Sequence, residues 1–463
     1  MSNIKAKYGM TMYGIQNGNK KILRGIRSMK GLKIAVIGGG SSYTPELIDG
    51  FIKRAQELPV REIYLVDIEA GKNKLEIVGN LVKRMIKKAS LDIDVNLTLN
   101  RTEAIKNADF VLTQLRVGGL AARARDEHIP LKYDVLGQET TGPGGFAKAM
   151  RTIPVLLDIC KDIEELAPDA WLINFTNPAG LITETILKYS KVKAIGLCNV
   201  PIHMVKNTAE LLEVDSSRLQ IEFAGLNHLV WGRKVYLDGK DATKEVIDKL
   251  CDGASLTMKN IPDLNWDSNY LRALSMIPCP YHRYFYMTDE MIAKMKKELE
   301  LGEGTRADQV LKVEKELFEI YAEESLDTKP TQLEKRGGAY YSDAAVSLIS
   351  AIYNNKKEIH TVNVRNNGAI LNQPDDVVVE INAVIDSNGA HPMTVGKLPP
   401  EINGLISSVK AYELLSVEAG VTGDYNTALK ALAAHPLVPS VKIAKLLLDD
   451  IIKGNKEYLP QFE

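Results

Sequence analysis

The chain has 463 residues, enough for two or three domains at roughly 100–200 residues each. Hydrophobic residues make up 45% and charged residues 25%, the composition of an ordinary globular protein, which excludes a disordered or fibrous chain. A formal net charge of −1 gives no drive toward nucleic acid or a membrane surface, and no apolar run reaches the ~20 residues of a membrane span.

Residues 1–30 are basic (Lys5, Lys7, Lys20, Lys21, Arg24, Arg27, Lys30) but lack the apolar segment of a secretory signal. They read as a poorly ordered or packing extension, with a cleavable targeting peptide as the alternative that the charge alone allows. The stretch Lys33-Ile-Ala-Val-Ile-Gly-Gly-Gly-Ser-Ser-Tyr-Thr-Pro45 then runs an apolar strand into three glycines and a helix start. Free backbone N–H groups and a helix dipole at such a turn can hold a pyrophosphate, so Gly38, Gly39, Gly40, Ser41 and Ser42 are candidate cofactor-binding residues. Tyr43 stands where the strict G-x-G-x-x-G form has its third glycine. Asp67 ends the next apolar strand and can accept hydrogen bonds from a ribose; its charge would repel a 2′-phosphate, favouring NAD over NADP.

From Leu32 to about Val200, β-branched runs alternate with helical patterns. The expected strands are Lys33–Ile37, Glu62–Val66, Ile93–Leu97, Phe110–Gln114, Trp171–Phe175 and Ala194–Leu197, with helices such as Pro45–Ala55 and Gly71–Ala89 between them. This alternation predicts an α/β fold, a Rossmann-like doubly wound parallel sheet over residues 31–200. Beyond Pro201 the pattern loosens into strands (Leu219–Phe223, Leu229–Leu237, Thr361–Val364, Val377–Ile385) and long charged helices, an α+β domain over residues 201–463.

Ligands bind outside the carboxyl ends of strands in open parallel sheets, so polar groups in the following loops are the candidates for chemistry. Arg123 lies in Leu115-Arg-Val-Gly-Gly-Leu-Ala-Ala-Arg123-Ala-Arg125-Asp-Glu127, after the fourth expected strand; a solvated helix with Arg–Glu pairing is the competing reading. Gly137-Gln-Glu-Thr-Thr-Gly-Pro-Gly-Gly145 cannot be a regular element and reads as a shaped loop. Asn177 precedes Pro178, which holds it away from the α region. Cys198 and Asn199 end a central strand, and His228 follows Asn227. Taken alone, Cys198 reads as a small core residue and His228 as a hydrogen-bonded core histidine. Tyr281 lies in the aromatic run Pro278-Cys279-Pro-Tyr281-His282-Arg283-Tyr284-Phe-Tyr286, and Arg306 opens a capped helix. The four cysteines (Cys160, Cys198, Cys251, Cys279) have no disulfide or zinc-ribbon spacing, which predicts a reducing, cytoplasmic setting.

These patches in this order resemble family 4 of the glycoside hydrolases, the NAD-dependent exception to two-carboxylate glycosidases. The resemblance rests on Gly38–Pro45, Gly137–Gly145, Asn174-Phe-Thr-Asn-Pro178, Cys198-Asn-Val-Pro201, Asn227-His228 and Asn388-Gly-Ala-His-Pro392, and leaves residues 1–30 outside. Cys-Asn at 198–199 resembles the 6-phospho-β-glucosidase branch; α-specific members carry Cys-Asp. The resemblance implies NAD and a catalytic Mn²⁺, with Cys198 and His228 as the protein's metal ligands. It implies substrate contacts at Arg123, Asn177, Asn199 and Arg306, and Tyr281 as the base, with Tyr284 as rival. The implied reaction is oxidation at carbon 3 of a phosphorylated glucoside, elimination of the aglycone, water addition and re-reduction. A homodimer or homotetramer is expected. The rival readings are a sister activity of the same family on α-glucosides or galacturonides, which Asn199 separates, and a lactate/malate-type dehydrogenase, against which the Cys198/His228 pair and the 137–145 loop both count.

Overall fold

The computed structural model describes residues 31–258, 261–336 and 340–462. The extension expected over residues 1–30 lies outside the described residues.

The apolar run at Leu32–Ile37 forms β1 because Ile34 and Val36 are buried between neighbouring strands and covering helices. β2 (Val60–Val66), β3 (Asp94–Thr98), β4 (Phe110–Thr113), β5 (Trp171–Asn174) and β6 (Lys193–Gly196) join it in parallel. Their order is β3-β2-β1-β4-β5-β6, the doubly wound arrangement expected from strand–helix alternation, with a switch point between β1 and β4. Val111, Leu112, Leu172 and Ile173 are almost wholly buried, each burial stabilising by about 1.5–3 kcal/mol. Covering helices show the matching 3.6-residue period: Lys72–Lys88 buries Leu75, Val78, Val82, Met85 and Ile86.

The C-terminal half builds no sheet of its own. β7 (Leu219–Leu226), β8 (Leu229–Leu237), β9 (Lys240–Asp241), β10 (Ile277–Pro278), β11 (Glu358–Arg365), β12 (Val378–Asp386) and β13 (Gly389–Pro392) extend the parallel sheet through antiparallel pairings. β11 joins β6 through the single pair Asn363↔Gly196, and the order then runs β12, β7, β8, β10. Helices Pro400–Thr422, Tyr425–Ala434 and Val441–Gly454 close the fold.

Most strand ends fall within one or two residues of expectation. Two are longer. Leu219–Phe223 continues to Leu226 because the chain pairs right up to a two-residue hairpin at Asn227-His228. Thr361–Val364 becomes Glu358–Arg365 because β12 pairs with it along its full length.

Candidate active site

The glycine turn after β1 is fitted to the sheet. Gly38 has φ +87°, and a Cβ on Gly39 would lie 2.7 Å from Leu65 Cβ and from Val66 N. Gln114, at the end of β4, donates to Gly38 O (3.2 Å) and Thr44 Oγ1 (2.7 Å), closing the crevice at the switch point. Helix Thr44–Lys53 follows the turn without a side-chain cap; Thr44 N donates to Ser41 O at 3.0 Å, and Pro45 has no N–H to leave unpaired. Asp67 Oδ2 accepts from Gly40 N at 3.0 Å, which places its carboxylate on the rim of that turn. Ser42 is buried, donating to Glu314 (3.3 Å), while its carbonyl accepts from Tyr321 (2.8 Å). A turn without room for a Cβ at Gly39, an uncapped helix and an acid at the next strand's end fit a dinucleotide.

Cys198 follows β6 and His228 follows β7, with β11 and β12 between those strands, and Asn227, the neighbour of His228, hydrogen-bonds the Cys198 thiol. Gly196, Asn363, Glu380 and Gly225 lie on one line across β6, β11, β12 and β7. Cys198 is two residues beyond Gly196, and His228 three beyond Gly225. Glu380 Oε1 accepts from Asn363 Nδ2 (2.9 Å) and Asn227 Nδ2 (3.1 Å), bracing the two strand ends. The Cys198 thiol accepts from Val200 N at 3.4 Å, is hydrogen-bonded with Asn227, and interacts electrostatically with Cys279 and Tyr281. Burial, with Glu380 nearby, pushes this thiol well above its ordinary range, so only a cation would make it a thiolate. His228 occupies the left-handed region (φ +61°), and burial lowers its imidazole to about 3. The Thr140 hydroxyl is 3.0 Å from its Nδ1, leaving Nε2 as the nitrogen for a ligand. One thiol and one neutral imidazole fit an open divalent-cation site with positions left for substrate and water. Among the described residues there is no cluster of three or more His, Cys, Asp and Glu placed for a metal.

Tyr281 stacks on His228 with ring centroids 3.7 Å apart and planes at 11°. Tyr284 lies edge-on to Tyr281 at 5.7 Å, one ring further from His228. Burial raises both phenols above their ordinary range.

Arg123 is not a free substrate arm. Its Nε donates to Glu127 (2.7 Å) and its Nη1 pairs with Glu139 Oε1 (2.9 Å). Glu139 also receives Lys148 Nζ at 2.9 Å and the Arg116 guanidinium. Burial opposes ionisation of Glu139, but Arg116, Arg123 and Lys148 hold it well below the usual carboxylate range. Burial, and then Arg116, pushes Lys148 down to about 7 against the pull of Glu139. Glu139 and Lys148 also influence His228 electrostatically, and Glu139 influences both tyrosines, so this cluster borders the same site. Sequence reasoning missed Glu139, Thr140, Lys148 and Glu380. The glycine-rich 137–145 stretch carried the signal for the first two, but it is not irregular throughout: Gly142–Gly145 form the first turn of helix Gly142–Leu166, because Pro143 suits a helix start. Lys148 and Glu380 lie inside a regular helix and strand, which gave none.

Asn177 and Asn199 sit half-buried where β5 and β6 end, and Asn199 N-caps helix Val200–Leu211 without spending its side chain on the cap. Arg306 opens helix Arg306–Ala322, whose next N–H (Ala307) donates to Glu127 at 2.8 Å, so Arg306 reaches this cluster within its own chain. Its guanidinium influences Tyr284.

A sheet of this order, with a tight glycine turn fitted to the end of its first strand, defines a dinucleotide-dependent enzyme of the α/β class. The chain belongs to family 4 of the glycosyl hydrolases. The family model described as "Family 4 glycosyl hydrolase" matches residues 33–214, and that of the "Family 4 glycosyl hydrolase C-terminal domain" matches residues 223–438. A "Probable 6-phospho-beta-glucosidase" of Bacillus subtilis (strain 168) is 57% identical, over 94% of this chain and 98% of its own. The 6-phospho-beta-glucosidase of Escherichia coli (strain K12) is 46% identical, over 93% and 97%. A structure of the 6-phospho-beta glucosidase from Thermotoga maritima, solved with manganese, NAD⁺ and glucose-6-phosphate, superposes with a TM-score of 0.85 at 39% identity. It covers 92% of this chain and 99% of its own.

Proposed function

We propose that the protein hydrolyses 6-phospho-β-glucosides to glucose 6-phosphate and an alcohol or sugar, using NAD and Mn²⁺. The observation that supports this reading is the stacking of Tyr281 on His228, with the Cys198 thiol hydrogen-bonded to the neighbouring Asn227. A hydrolase with a redox fold makes sense only if the oxidation is transient. Identity of 57% and 46% with relatives named 6-phospho-beta-glucosidases supports the substrate class, as does Asn199 after Cys198.

When bound, the dinucleotide supplies a reversible hydride acceptor for carbon 3, and the cation supplies Lewis acidity for the sugar oxygens. The chain's own residues do the rest. The Gly38–Ser42 turn holds the pyrophosphate and Asp67 the ribose. Cys198 and His228 hold the cation. Tyr281 removes the proton at carbon 2, which is acidified by the adjacent carbonyl, and the aglycone leaves from carbon 1. Asn199, an amide, cannot protonate the leaving oxygen as a carboxylic acid would, so water or another group does. A water molecule then adds across the double bond, with its oxygen at carbon 1 and a proton returned to carbon 2. Arg306 presents positive charge to the sugar phosphate, Asn177 and Asn199 orient its hydroxyls, and Arg123, held by Glu127 and Glu139, borders the substrate position. The enzyme works as a cytoplasmic homodimer or homotetramer.

The test is release of p-nitrophenol from p-nitrophenyl 6-phospho-β-glucoside under reducing conditions, with and without NAD⁺ and Mn²⁺. Cleavage that needs both and accumulates no NADH is expected. Cleavage of the α-anomer alone overturns the β assignment. Steady NADH formation from a hydroxy acid overturns the hydrolase reading.

A further inference from the structure

We propose that Thr140 is a positioning residue for the cation site. Its hydroxyl, oriented by Gln138, fixes His228 as the Nδ1–H tautomer, so that Nε2 offers its lone pair to the cation. The inference rests on the reading of His228 as a ligand, and it follows from counting protons.

The backbone N–H of Thr140 donates to Gln138 Oε1 at 2.6 Å. A backbone N–H can only donate, so the atom facing it is the carboxamide oxygen and the amide orientation is settled. Thr140 Oγ1 lies 2.9 Å from that same oxygen, which carries no hydrogen. The single hydroxyl proton therefore goes to Gln138. Toward His228 Nδ1, 3.0 Å away, the hydroxyl has only lone pairs to give. Nδ1 must carry the hydrogen, and in the neutral ring Nε2 is then the acceptor.

Neighbouring geometry leaves the ring little freedom to undo this arrangement. One face of the imidazole is stacked on Tyr281, and its backbone sits in the two-residue turn between β7 and β8. The loop that delivers Thr140 is equally constrained. A Cβ on Gly144 would lie 2.2 Å from Gln138 O, and one on Gly145 would lie 2.7 Å from Thr140 C. A ligating histidine commonly donates its other N–H to a carboxylate, carbonyl or water. Here a threonine hydroxyl does so, and it can only accept because Gln138 has taken its proton.

Two measurements on the full-length protein test this. Long-range ¹H–¹⁵N correlation of ¹⁵N-histidine-labelled, metal-free enzyme reads which ring nitrogen of His228 is protonated, with His228→Gln assigning the signal. Nδ1–H is expected in the wild type and in Thr140→Ser, and a shift toward Nε2–H in Thr140→Val. Mn²⁺ affinity, read from the electron paramagnetic resonance of the free ion, should weaken about 10–100-fold in Thr140→Val and recover in Thr140→Ser. Should Thr140→Val fail to fold, Gln138→Met asks the same question by releasing the hydroxyl proton. An Nε2–H wild type, or unchanged tautomer and Mn²⁺ affinity in the folded variants, overturns the inference. Wild-type Mn²⁺ affinity in His228→Gln overturns the ligand reading instead, and the tautomer measurement tells the two failures apart.

Discussion

The imidazole of His228 lies face to face with the phenol of Tyr281, ring centroids 3.7 Å apart and planes 11° from parallel. The ring assigned to the cation therefore supports the ring assigned to the proton transfer. Tyr281→Phe keeps the stack and the apolar burial while removing only the hydroxyl. Its kcat should fall about 10²–10⁴-fold, the usual contribution of a general base. Exchange of the carbon-2 proton with solvent deuterium should stop. Exchange that survives in Tyr281→Phe and is lost in Tyr284→Phe would transfer the role to Tyr284.

Cys198→Ser replaces a soft donor with a hard one at nearly constant volume. A serine oxygen can still accept from Val200 N, so the melting temperature should stay close to wild type. Mn²⁺-dependent turnover should fall by at least about 10²-fold, as for loss of an inner ligand. Normal turnover at the usual Mn²⁺ concentration would remove Cys198 from the cation site.

Asp67 Oδ2 accepts from Gly40 N at 3.0 Å, and the proposed function gives the same carboxylate to the ribose. Asp67→Asn should weaken NAD⁺ binding about tenfold, the loss of one charged hydrogen bond. Discrimination against NADP⁺ should narrow, because the repelling charge is gone. Titration by nicotinamide fluorescence checks both, and equal NAD⁺ and NADP⁺ affinity in the wild type would refute the role.

Lys410 is buried between Glu184 (2.9 Å) and Glu413 (2.5 Å), tying helix Pro400–Thr422 to helix Ala179–Tyr189. Lys410→Met leaves two buried carboxylates without their cation and should cost about 3–5 kcal/mol. The sign with pH follows. Glu413 already titrates above its ordinary range through burial, against the pull of Lys410, and losing that lysine raises it further. A carboxyl raised in the folded state binds protons more readily than the unfolded chain, so the penalty is greatest above the folded value. It disappears as pH falls below about 4.3, the unfolded value. Urea melts of the variant at pH 8 and pH 5 should therefore differ less from wild type at pH 5. A deficit independent of pH would mean that lost packing, not charge, is responsible.

How much of the site could be read in advance depended on the kind of residue. Gly38, Gly39 and Asp67 were legible because a pyrophosphate turn is local: one strand end, one helix start and the next strand end specify it. Arg123 was legible as a cation, but its setting was not. Glu127 is four residues away on the same helix, whereas Glu139 and Lys148 come from the next loop and helix. The spacing of Cys198 and His228, thirty residues apart, says nothing about contact.

The sequence by itself determined the alternation of strands and helices, the glycine turn and the family, because each rests on residues near one another in the chain. Only the tertiary structure decided that the C-terminal strands continue the first sheet. It alone brought the Cys198 and His228 strand ends under the brace of Glu380, and it placed Tyr281 against the imidazole. The physical reason is that strand pairing and register join segments far apart in sequence. A hydrogen-bonding line such as Gly196–Asn363–Glu380–Gly225 leaves no periodic trace along the chain.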